Sequence, residues 1–269
     1  MNIDKLNPSS YSIEEYELIK KEIESLKNTE YQNIQNQYFG DEEYLFYEKI
    51  IKKYINELIP LLLKEYEEVL DNNQIEKNKT LGNRVSIIKK DSNYYKKTAG
   101  YCFNQEKVFL IPSFFQNEDI ISKLVNIKGI LIHEIHHMLT TCKTNNRINI
   151  NYKDNIITGS MGNYMDEGIV ELSSIIFANK YNLPYIKSVS YHKNTIFIDN
   201  IMKALKINKI TDLWNKSYID ILSNDVFAKN IIAEYERMEK EFIIKKFQKK
   251  LNPNLNQAQK EINTEEKKR

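Results

Sequence analysis

The hydrophobic and polar positions of this chain mark out a helical flank, a mixed middle and a second helical flank. "SIEEYELIKKEIESL" begins on Ser12 with Glu15 three positions on, a capping-box pattern, and then spaces Ile13, Tyr16, Ile19, Ile23 and Leu26 at helical intervals. "EEYLFYEKIIKKYINELIPLLLKEYEEVL" keeps that spacing and predicts a second long helix, which Pro60 should kink or split. The polar run around 72–80, "DNNQIEKNKT", reads as a linker. Beyond residue 84 the texture changes. "RVSIIKK" is a short β-like run, and "GYCFNQEKVFLIP" reads as a hairpin about Asn104-Gln105. Helical spacing returns at 118–141, where Ile120, Ile121, Leu124, Ile127, Leu131 and Ile135 trace one stripe. Residues 143–163, polar and rich in Asn and Gly, predict a loop, with helices at about 164–181, 193–206 and 219–246.

Glycine placement supports the same division. Six of the seven glycines lie between Gly82 and Gly168, which puts the turns and strands in the middle third. The expected organisation is a helical N-terminal segment over 1–79, an α+β domain over 80–246 and a polar tail over 247–269. The tail has few apolar residues and is expected to be disordered.

Composition narrows the classes. Apolar residues make up 41% of 269, enough for a real core, and no apolar run is long enough to span a bilayer. "MNIDKLNPSSYSIEEYELIKK" has neither the basic start nor the apolar stretch of a signal peptide. Two cysteines, Cys102 and Cys142, make no disulfide framework and read as buried apolar residues, so a cytoplasmic location is expected. The 39 basic and 37 acidic residues leave a net charge of +2, without the basic patch a nucleic-acid partner requires. Oligomeric state has no signature.

One stretch changes the picture. "GILIHEIHHMLTTC", 129–142, holds three of the four histidines, and His133-Glu134-Ile135-His136-His137 satisfies H-E-x-x-H. Positions i and i+4 of a helix share a face about 6 Å apart. His133 and His137 would therefore converge on one metal ion, while Glu134 projects about 100° round from His133. Placed there, Glu134 would act as general base toward a zinc-activated water. His136 occupies a variable position, points away from the pair and reads as structural or surface. A catalytic zinc takes three protein ligands. "NYMDEGIVELSS" offers Glu167 and Glu171, again i and i+4, one to bind the metal and the other to hold a ligand histidine. Spacing alone does not choose between them.

H-E-x-x-H followed, after a loop, by a Glu-bearing helix resembles the gluzincins, the thermolysin-like zinc peptidases. The resemblance implies Glu167 as third ligand, Glu171 as the brace of His133, one catalytic Zn²⁺, and a peptide or protein substrate. It also implies a zincin-like fold: a small antiparallel or mixed sheet, an active-site helix and a C-terminal helical part. Asp166-Glu167-Gly168 is similar to the Asn-Glu-Gly of several gluzincin aminopeptidases, and Gly168 would allow close helix packing. The chain departs from them in having no Gly-x-Met-Glu-Asn segment and in a longer spacing between motifs, and the likeness covers about 100–180. Metzincins place a third histidine after a glycine; "HHMLTTCKTNN" has neither. The antirepressor-cleaving bacterial peptidases follow their glutamate with an alanine-rich helix, which "EGIVELSSIIFANK" matches weakly.

Two further expectations follow. "EKVFLIP", 106–112, is placed to be the substrate-pairing edge strand or its neighbour. Tyr191 and His192 are the candidates to stabilise an oxyanion, with Tyr164 a further one. The expected function is zinc-dependent peptide hydrolysis. Its alternatives are a non-catalytic zinc-binding scaffold and an exported effector protease with one protein substrate.

Overall fold

The computed structural model describes residues 41–87, 99–103, 105–111, 120–140, 147–152, 155–183, 185 and 191–251. The fold is mixed α+β and mostly helical, with eight α-helices among the described residues. Helix α1 spans Asp41–Tyr66, α2 Asn72–Lys79 and the short α3 Leu81–Arg84. Strands β1 (Val85–Ile87), β2 (Gly100–Phe103) and β3 (Lys107–Leu110) follow, then helix α4 (Ile120–Leu139). Strands β4 (Arg147–Tyr152) and β5 (Asn155–Ser160) precede α5 (Asn163–Tyr181) and α6 (His192–Ala204). A 3₁₀ turn at Ile210–Leu213, α7 (Tyr218–Leu222) and α8 (Lys229–Leu251) complete the chain. Among the described residues no helix is long and apolar enough to cross a membrane.

The larger sheet has the order β1-β3-β2, with β1 parallel to β3 and β2 antiparallel to it. Phe103 pairs with Lys107 across the expected hairpin, and Gln105 in its loop takes φ 57°. Lys107–Leu110 of "EKVFLIP" is therefore the middle strand, with β1 and β2 as its outer neighbours. β2 lies against α4 because Gly100 has no side chain. A Cβ there would meet Ile130 Cγ2 at 2.5 Å and Glu134 Cγ at 3.4 Å.

Helix α4 carries far more than a single apolar stripe. Leu124, Val125, Ile127, Leu131, Ile132, Ile135, Met138 and Leu139 are all buried, so it is a central element. Helix α1 packs into the same core through Tyr47, Ile51, Ile55, Leu58, Leu62 and Tyr66. Of the kink or split expected at Pro60, no split occurs, because buried Leu58 and Leu62 anchor the helix on both sides of the lost hydrogen bond.

The polar stretch around 72–80 is helix α2 and not a linker. Asp71 and Gln74 form a capping box, with both hydrogen bonds at 2.8 Å. The Gln74 amide also donates to Leu139 O, and the Gln105 amide donates to Thr140 O at 3.1 Å. Two carbonyls at the C-terminal end of α4, left without helical partners, are satisfied by these amides. Polarity here serves a buried helix end.

Two other expectations are corrected. Within 143–163, Arg147–Tyr152 and Asn155–Ser160 pair as the antiparallel strands β4 and β5, with Tyr152 opposite Asn155. "RININY" alternates strictly, but its Asn spacers disguise the strand as loop. The helix expected at 219–246 is two helices. Between them Asn224 Oδ1 accepts the Val226 amide in a turn, and α8 runs past 246 to Leu251. The first capping box at Ser12, Cys142 and residues 252–269 lie outside the described residues.

Candidate metal centre

Helix α4 presents His133 and His137 one turn apart, and α5 presents Glu167 opposite them. One donor atom from each lies within 4.8 Å of the other two. His133 Nε2 is 3.5 Å and His137 Nε2 3.4 Å from the same Glu167 Oε2. That oxygen is buried and has no hydrogen-bond partner among the described residues. Donors about 2.0–2.1 Å from a tetrahedral ion lie about 3.3–3.4 Å apart along each edge. An orphaned buried carboxylate oxygen with two imidazole nitrogens at that spacing fits a metal ion. These three residues can hold one.

Each remaining atom of the triad is held. Glu171, 1% exposed, accepts from His133 Nδ1 at 2.9 Å and from the Tyr185 hydroxyl at 2.8 Å. Asp166 Oδ2 stands 3.4 Å from His137 Nδ1. Lys246 Nζ, from α8, donates to Glu167 Oε1 at 2.7 Å. The helices bearing these groups meet closely. A Cβ on Gly168 would lie 2.8 Å from Asn194 O and 2.7 Å from Ile198 Cγ1, so only glycine lets α6 approach α5 here. Asn194 Nδ2 ties the same helices by donating to Tyr164 O at 2.8 Å.

The electrostatics follow from burial against neighbouring charge. Burial opposes a charge on His133, but Glu167 and Glu171 raise its pKa to about 9. Burial likewise opposes charge on His137, and Asp166 and Glu167 raise it well above the usual histidine range. Burial pushes Glu167 up, yet Lys246, His133 and His137 hold it well below the usual carboxylate range. Glu134 is different: burial raises its pKa, and the Cys102 backbone amide and both histidines only partly offset that. It sits beside the triad without belonging to it.

The Tyr191 ring lies parallel to His133, 5.3 Å between centroids and 4° between planes. Burial, then the Glu167 and Glu134 carboxylates, keep its phenol well above the usual tyrosine range and therefore protonated. His192, the first residue of α6, is exposed, and no contact joins it to the triad among the described residues. Tyr164 is buried against Phe197 and Phe242, its amide bound to Glu239 Oε1 at 3.0 Å. Cys102 is half-buried, its thiol pushed up to about 11 by burial.

His136 is fully buried. Its Nδ1–H donates to Ile132 O at 2.8 Å with Ser174 Oγ at 3.2 Å, and Nε2 accepts from the Tyr66 hydroxyl at 2.9 Å. Burial lowers its pKa to about 3, so it is a neutral strut between α1, α4 and α5.

Sequence reasoning missed Tyr185 and Lys246, whose partners lie 14 and 79 positions away. No local pattern marks either. Asp166 had a signal, its place beside Glu167, though not a role. Comparison with protein-family models, curated proteins and solved structures found no match to this chain.

Proposed function

We propose that this chain is a zincin-like, gluzincin-type zinc metallopeptidase, with zinc on His133, His137 and Glu167. The observation that carries the reading is Glu134: a buried carboxylate next to three converging donors and not one of them. A site built only to hold the fold would more often close with a fourth ligand and would have no use for a spare base. Two imidazoles and a carboxylate suit zinc.

When bound, zinc supplies a Lewis acid and an acidified water. Glu134, buried beside the three donors, would take the proton and return it to the leaving amine. The Cys102 amide holds one side of that carboxylate. Tyr191, kept protonated beside the ligands, is the donor available to a developing oxyanion, and the solvent-facing His192 is not. Strand β2, one of the two outer strands of the described sheet and the one packed against α4 at Gly100, is the strand an extended peptide would pair with.

The test uses zinc-loaded wild type and Glu134→Gln on a broad peptide library. Both should retain the metal, while hydrolysis in the variant falls about 10²–10⁴-fold. A folded, zinc-loaded wild type that cleaves nothing would replace this reading with the scaffold.

A further inference from the structure

The two oxygens of Glu167 have different surroundings. Oε1 accepts the Lys246 ammonium at 2.7 Å, whereas Oε2 accepts no hydrogen bond among the described residues and faces both histidine Nε2 atoms. We propose that Lys246 is a positioning residue that occupies Oε1, restricts Glu167 to one-oxygen ligation through Oε2, and so preserves an open position on the metal. A carboxylate bound through both oxygens would fill two positions, and catalytic zinc requires one left free beside three protein ligands.

The lysine is placed by a whole helical face. Glu239, Phe242, Ile243 and Lys246 recur at three- and four-residue steps along α8. Glu239 accepts the Tyr164 amide at the start of α5 at 3.0 Å, and the Tyr235 hydroxyl at 2.6 Å. Ile243 fills the space where a Cβ on Gly159 would stand, 2.5 Å from its Cγ2. The Phe242 ring lies 4.7 Å beneath the Lys246 ammonium. The lysine side chain is 45% exposed, so solvent screens its bare charge and the geometric role dominates.

This rests on the metal reading above, and the experiment separates the two. The full chain is loaded with cobalt(II), whose visible absorption is stronger in four-coordinate sites than in five-coordinate ones. Wild type should bind one cobalt with strong absorption. Lys246→Met should bind it too, with absorption several-fold weaker, and Lys246→Arg should restore the strong spectrum. A Lys246→Met spectrum equal to wild type overturns the role of Lys246, and a wild type that takes up no cobalt overturns the metal site itself. X-ray absorption on zinc-loaded wild type gives an answer even if Lys246→Met does not fold. One carboxylate oxygen at about 2.0–2.2 Å supports the inference, and two overturn it.

Discussion

Glu171 Oε2 accepts the His133 Nδ1 proton at 2.9 Å, and so decides which imidazole nitrogen faces Glu167. With Nδ1 engaged, Nε2 is the nitrogen left for a metal, and Tyr185 holds Glu171 in turn. A ligand aimed by a carboxylate that is itself aimed by a phenol loses little freedom when an ion binds.

Glu167 and Glu171 therefore have distinguishable costs. Glu167→Ala removes a donor and should abolish tight metal binding, as should His133→Ala or His137→Ala. Glu171→Ala should weaken it about 10–100-fold. Competition titration against a chelator measures both, and the reverse order would exchange the two roles.

Metal uptake should be pH-dependent. In the metal-free chain His133 titrates at about 9, raised from 6.5, and His137 is shifted the same way. Binding needs neutral imidazoles, so protons compete and affinity should climb as pH rises toward 9. The sign for stability is opposite. The ion pairs that raise these values stabilise the metal-free fold fully below about 6.5 and lose that contribution as pH passes about 9. Affinity that stays flat between pH 6.5 and 9.5 would contradict protonated apo ligands.

Gly100→Ala tests the link from strand to base. Its methyl would press on Ile130 and approach Glu134, forcing β2 away from α4. Overpacking of this kind costs about 1–3 kcal/mol. Metal binding should persist because no ligand moves, while peptide hydrolysis drops. Unchanged turnover would detach β2 from the reaction.

Tyr66→Phe should destabilise the fold by about 1–3 kcal/mol, because His136 Nε2 is left buried without its donor. The ring contacts with Phe177 and Trp214 remain possible, which isolates the hydroxyl. Urea unfolding reads the difference. His136 also makes acid costly: its pKa is lowered to about 3, so the unfolded chain takes a proton below about 6.5 that the folded chain refuses until about 3. Its contribution to stability should fall as pH drops through that window.

Periodicity and local chemistry carried the sequence reading where each residue's role depends on neighbours within about one helical turn. The 3.6-residue repeat exposed α4 and α5, H-E-x-x-H put two imidazoles on one face, and i, i+4 put Glu167 and Glu171 on another. The apolar blocks about Asn104-Gln105 exposed the β2-β3 hairpin. Where polarity had a buried purpose, pattern misled. Gln74 lies in a polar run because it satisfies the end of α4, and the Asn spacers of β4 look like loop until β5 pairs with them.

Only tertiary structure brought α8 to the site. Lys246 meets Glu167 across 79 residues, Tyr66 meets His136 across 70, and Tyr191 stacks on His133 from the N-cap of α6. Nor did spacing rank the two glutamates. The resemblance ranked them, and the packing of α5 on α4 sets Glu167 Oε2 toward both Nε2 atoms and Glu171 toward Nδ1. A helix determines which residues share its face; the angle at which it packs on a neighbour determines which of them reach a common point, and that angle depends on contacts far apart in the chain.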